Sequence, residues 1–160
     1  MTLTRTNFLS PNDFGFKIEK APHLEYNAQS IIIPGLTLGV AYLPSPLVRI
    51  PNPGNLSYGE LSVAFKVDEN LENYLEIFNW MERLGHPDKL EDQYAYSVSD
   101  CKALIYSSSK KPNYLVSFTD CFPTGLSPLE FGTTNDNIEY VTSSVTFTFL
   151  RFGFEKYDPT

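Results

Sequence analysis

The chain has 160 residues, about one ordinary domain, which is long enough to bury a substantial core. A formal net charge of −7 speaks against a protein that holds DNA or RNA by neutralising phosphates, which needs a basic patch. Charged residues make up only 19% of the chain and aromatics 14%, against about 25% charged in an average soluble domain. A surface so poor in charge suits a molecule largely covered by neighbours.

Residues 1–12 are mostly polar, end in Ser10-Pro11-Asn12 and are expected to form an arm; they lack the apolar core of a signal peptide. From Asp13, the alternation of Phe14, Phe16 and Ile18 with Gly15, Lys17 and Glu19 predicts a strand. Ala28 to Val40 carries the β-branched run Ile31-Ile32-Ile33, then Pro34-Gly35, then Leu36-Thr37-Leu38, which reads as two extended segments around a turn. Residues 43–59 hold Pro44, Pro46, Pro51 and Pro53. Each proline removes a ladder donor, so this stretch is expected to be a long, stiffened loop. Leu47, Val48 and Ile50 make it too apolar for a purely solvated loop, and long loops inside compact domains are commonly functional.

In Glu60–Asp68, Leu61, Val63, Phe65 and Val67 alternate with Glu60, Ser62, Ala64 and Lys66, as in a half-buried strand. The period then changes. Leu71, Tyr74, Leu75, Phe78, Met81 and Leu84 fall at helical spacing, with Ile77 and Trp80 widening the stripe. Asp68 or Asn70 can cap this helix of about residues 70–84, and Gly85 with Pro87 closes it. Strands are expected at Asp100–Ser107 and Tyr114–Asp120, followed by a Pro/Gly-bearing loop over Phe122–Gly132. The last element, Glu139–Phe154, alternates as one long strand. Val141, Val145, Phe147 and Phe149 face one way, and Tyr140, Thr142, Ser144, Thr146 and Thr148 the other. The reading is of one mainly β domain over 13–157 with a single helix.

No pattern of titratable residues suggests an enzyme. His23 and His86 stand beside Pro22 and Pro87 without ligand spacing to each other or to Cys101 and Cys121, and no GxSxG, HExxH or phosphate-cradling loop occurs. Glu72 and Glu76 share a helix face, where a solvated pair is the plainer reading. The cysteines read as two small buried hydrophobes. No apolar run approaches membrane-spanning length, so no membrane anchor is expected, and no cofactor or metal is called for.

Three segments together carry a family resemblance: Leu61-Ser-Val-Ala-Phe-Lys-Val-Asp68, then Glu69-Asn-Leu-Glu-Asn-Tyr-Leu-Glu-Ile-Phe-Asn-Trp80, then Val145-Thr-Phe-Thr-Phe149 after Asp136-Asn137. Their order, with the Pro-rich segment before them, resembles the tail-tube superfamily of contractile-tailed phages across about residues 13–155. That resemblance implies a β-sandwich protomer of a hexameric ring, whose strands join into a barrel around a channel and whose rings stack into a tube. It implies as partners further copies of the chain and the tail sheath, baseplate and tail terminator proteins. DNA would pass through without specific binding, and the protein would be assembled in the host cytoplasm and reside in the virion tail. Within that frame Leu47, Val48, Arg49 and Ile50 are the candidate inter-ring contact. Thr142, Ser144, Thr146 and Thr148 are the candidate channel wall, facing DNA with hydroxyls and no charge. A tube-initiator or baseplate ring protein of the same fold, and a carbohydrate- or receptor-binding β-sandwich, are the alternatives.

Overall fold

The computed structural model describes residues 7–86, 97–133 and 139–158. The elements run β1 (Phe14–Ile18), α1 (Pro22–Asn27), β2 (Ala28–Ile32), β3 (Leu36–Leu43), β4 (Ile50–Tyr58), β5 (Leu61–Lys66), α2 (Glu72–Gly85), β6 (Ser99–Tyr106), β7 (Pro112–Leu126), β8 (Thr142–Thr148) and β9 (Arg151–Lys156). The fold is mainly β and every strand pair is antiparallel.

Two four-stranded layers share one strand. The first half of β7 pairs with β6 and β9, and β6 with β1. Beyond Asp120 the second half of β7 leaves that layer and pairs with β8, which continues through β5 to β2. Asp120 turns the corner at φ 55, a left-handed conformation that Asp tolerates better than most residues, and its N–H donates to Asp100 Oδ1 at 3.2 Å. The loop expected over Phe122–Gly132 is therefore strand as far as Leu126, with Pro123 beside a register shift that leaves room for a residue without N–H. The long strand expected over Glu139–Phe154 is likewise divided at Phe149-Leu150 into β8 and β9, one in each layer. A period of two survives a sharp corner, so alternation alone does not show the break.

The inward residues of both layers form the core. Leu61, Val63 and Phe65 of β5, Val145 and Phe147 of β8, Val116 and Phe118 of β7, and Phe16 and Ile18 of β1 are buried. Phe16 lies 6.4 Å from Phe147 and Trp80 lies 6.2 Å from it, ring centre to ring centre, which closes the sandwich around Phe147. Cys101 and Cys121 are buried free thiols. Their contact with each other, then burial, pushes the Cys101 thiol far above its ordinary range.

The helix expected at about residues 70–84 is α2, at Glu72–Gly85. Its buried line is Asn73, Ile77 and Trp80, while Leu75 and Phe78, placed in the apolar stripe from sequence, are exposed. Neither Asp68 nor Asn70 caps it. Leu71 occupies the cap position at φ 59, and Asn73 bonds backward, accepting the Asp68 N–H (3.2 Å) and donating to the Lys66 carbonyl (2.7 Å). That side chain ties the end of β5 to the start of the helix.

Candidate assembly surfaces

Two surfaces stand out. The first is the outward face of the β7–β8–β5–β2 layer. In an antiparallel pair, directly opposed residues share a face. The pairs Ser62 with Thr146, Ala64 with Ser144, Lys66 with Thr142, and Ser30 with Ala64 therefore place small and hydroxyl side chains in rows on the side away from the core. Thr148 belongs to the same face opposite Phe122. All four hydroxyl residues expected on one side of this strand are there together: Thr142 is exposed and Ser144, Thr146 and Thr148 are half-buried. Ser143, between them, is buried and bonded to Ser127. Among the described residues of these strands, Lys66 is the one charged group on the face, with its Nζ 4.9 Å from the centre of the Tyr140 ring. Both borders of the layer, β2 on one side and residues 122–126 on the other, lack a paired strand among the described residues.

The second surface is a hairpin. The stretch 43–59, expected as a loop, is instead the turn and second strand of a two-stranded sheet, β3 with β4. Pro51 opposes Tyr42 and Pro53 opposes Val40. A two-stranded ribbon has two outer edges, so a proline can point its missing donor outward without breaking the ladder. Gly54 is needed where the register shifts, because a Cβ there would lie 2.9 Å from the Gly39 carbonyl oxygen. Pairing puts Leu36, Leu38, Val40 and Tyr42 on one side with Pro51, Pro53, Leu56 and Tyr58, and Thr37, Ala41, Asn52 and Ser57 on the other. Each of Leu36, Leu38, Val40, Tyr42 and Leu56 is at least half exposed. At the tip, Leu47 is 95% exposed and Val48 68%, so Leu47, Val48, Arg49 and Ile50 stand together at the far end of the ribbon. The apolar hairpin face was not identified from sequence, although the alternation at 36, 38, 40 and 42 was visible; the prolines hid the partner strand.

Among the described residues no group of three or more His, Cys, Asp or Glu side chains could hold a metal ion. His23 instead joins the two helices: its N–H donates to Glu76 Oε2 (3.2 Å), its Nδ1 meets the other oxygen of the same carboxylate, and its Nε2 lies 3.6 Å from Glu72. Glu76, in hydrogen bond and then in charge, raises the His23 pKa above its usual value. No described helix is long and apolar enough to cross a membrane.

An outlying apolar hairpin and an open-bordered sheet with a hydroxyl face are thus the two surfaces that the core does not use. No protein-family model matches the chain. It is 29% identical over 138 residues to the tail tube terminator protein of Enterobacteria phage T4, covering 81% of this chain and 77% of that one. Its fold superposes on the tube-terminating cap of the anti-feeding prophage with a TM-score of 0.73 at 10% identity, covering 98% of this chain and 97% of the other. The terminator of an extracellular contractile injection system, the PVC sheath/tube terminator in its extended state, gives 0.72 at 12% identity (95% and 99% covered). A chain of the sheath-tube complex of the same system gives 0.69 at 14% (93% and 92%). The chain is thus similar in sequence to a phage tail tube terminator and shares the fold of tube and tube-terminating proteins of contractile injection systems.

Proposed function

We propose that this chain is the subunit of a ring that ends a contractile tail tube, and that it acts by assembly without catalysis. The observation that carries the reading is the β7–β8–β5–β2 layer, open at both borders and lined outward by hydroxyls. Unpaired strand borders invite pairing with another chain, and closing such layers into one barrel removes every edge. In that barrel the face of Thr142, Ser144, Thr146 and Thr148 is the channel wall. With six copies related by rotation, the contact between neighbours is heterologous and closes into a ring. The ring would meet the tube, sheath and baseplate proteins of a tail and reside in the virion, made in the host cytoplasm; DNA would pass through the channel without specific binding. The place at the tube's end is supported by the phage T4 relative, a tail tube terminator. A repeating tube subunit is the second reading, supported by the likeness to a chain of a sheath-tube complex.

Electron microscopy of the purified chain, alone and mixed with tubes of its own particle, tests both. Discrete rings that cap tube ends are expected. Open-ended tubes of the chain alone would make it the repeating subunit. A monomer that binds no tube end would overturn both readings.

A further inference from the structure

Between Glu25 and Glu60 the chain carries one charged residue, Arg49, at the hairpin tip between Val48 and Ile50. The remainder of the molecule then has a formal charge of −8, from −7 less the single positive charge. A lone cation among exposed aliphatics, on an arm that is otherwise uncharged, is suited to a receptor with an apolar floor and a carboxylate. Among the surface grooves lined by described residues, three can be compared as receptors. That beside the 7–9 segment has no charged residue in its lining, and that beside Asp13 offers one carboxylate next to Lys110 with little apolar surface. The third, of about 400 Å³, lies on the outward face of β1 and β6. Leu104 and Leu115, opposed across β6 and β7, line it together with Tyr106, Tyr157, Glu19, Glu25 and Asp100. Gly15 leaves the space in which Tyr106 lies across β1, since a Cβ there would sit 3.4 Å from the Tyr106 hydroxyl.

We infer that this cleft receives the hairpin tip of a neighbouring copy in the ring, with Leu47 and Val48 on Leu104 and Leu115 and Arg49 on the carboxylates. Lys17 and Lys102, opposed across β1 and β6, also line the cleft. With three carboxylates against two ammonium groups the cleft keeps net negative charge. The lysines suit the carbonyls of Pro44 and Pro46, residues that present acceptors without N–H donors. Tip and cleft are different surfaces of one chain, which is what a ring-closing contact between identical subunits requires. The inference rests on the ring reading. It moves the tip from a contact between rings to one within the ring.

The test uses the full-length chain and two kinds of variant. R49E is expected to raise the concentration for half-maximal ring formation at least about tenfold, as is the pair E19R with E25R, and the three changes combined are expected to recover most of it. Independently, a chain with V48C and Y106C, treated with a bismaleimide, is expected to give a covalent ladder up to the ring size. Rings without a ladder, or rings of R49E that form as readily as the parent's, would overturn the tip-to-cleft pairing and leave the ring reading intact. No association of the parent chain at any concentration, with or without tube ends, would overturn both.

Discussion

At the residue scale, three side chains do work that their position in the sequence does not advertise. His23 clamps α1 to α2 through both oxygens of Glu76. Because its pKa is raised in the folded chain, the charged clamp contributes fully below the ordinary value of 6.5. That contribution is lost as pH rises through the raised value. Thermal stability of the parent is therefore expected to fall between mildly acidic and mildly alkaline buffer, and that fall is expected to shrink in H23Q; equal slopes for the two proteins would remove the clamp. Asn73 is buried and satisfies one backbone donor and one acceptor. N73A strands both, at an expected cost of about 2 kcal/mol in urea titration. Asp120 holds the left-handed corner of β7, where a β-branched side chain adds strain of about 1–2 kcal/mol, so D120V is expected to destabilise and D120G to be nearly neutral. The buried thiols Cys101 and Cys121, with Cys101 shifted upward, are expected to resist alkylation until the protein unfolds.

At the element scale, period was legible and corners were not. The switch from a spacing of two in Leu61–Phe65 to a helical spacing from Leu71 marks β5 and α2 correctly, because both bury their regular face in one core. The short helix α1 escaped notice: six residues give less than two full turns, too few for a period to show. In α2 the apolar residues outnumber the buried positions. Composition therefore could not say that Asn73 turns inward while Leu75 and Phe78 turn outward; the demand of two backbone groups for a partner decides it. The hydroxyl face of β8 was readable since alternation alone fixes it, whereas the hairpin was masked by Pro51 and Pro53. These elements carry two further predictions. Deleting Leu47–Pro53 is expected to leave the sandwich folded by circular dichroism and to stop assembly. The pair S144K with T146K is expected to slow DNA ejection from assembled particles, because it sets ammonium groups against the phosphates. Unchanged ejection would move the channel wall elsewhere.

At the scale of the whole molecule, the core lies in the sandwich, and of the hairpin strands Tyr58 packs against it. Truncating the ring around which the layers close, F147A, is expected to cost about 3–5 kcal/mol and to abolish assembly by unfolding the subunit. Arg49, exposed at the tip of the hairpin, can change without touching the sandwich core, so R49E is expected to keep the parent's melting temperature.

The strand that crosses from one layer to the other at Asp120 has a mechanical meaning. Two sheets held only by side-chain packing are joined by many contacts of about 0.1–0.2 kcal/mol per atom pair, none of them covalent. Here a continuous backbone runs from the layer bearing β1, β6 and β9 into the layer bearing β8, β5 and β2. In the ring proposed above, a load on the layer bearing β1, β6 and β9 would therefore reach the other layer along covalent bonds as well as through side-chain packing.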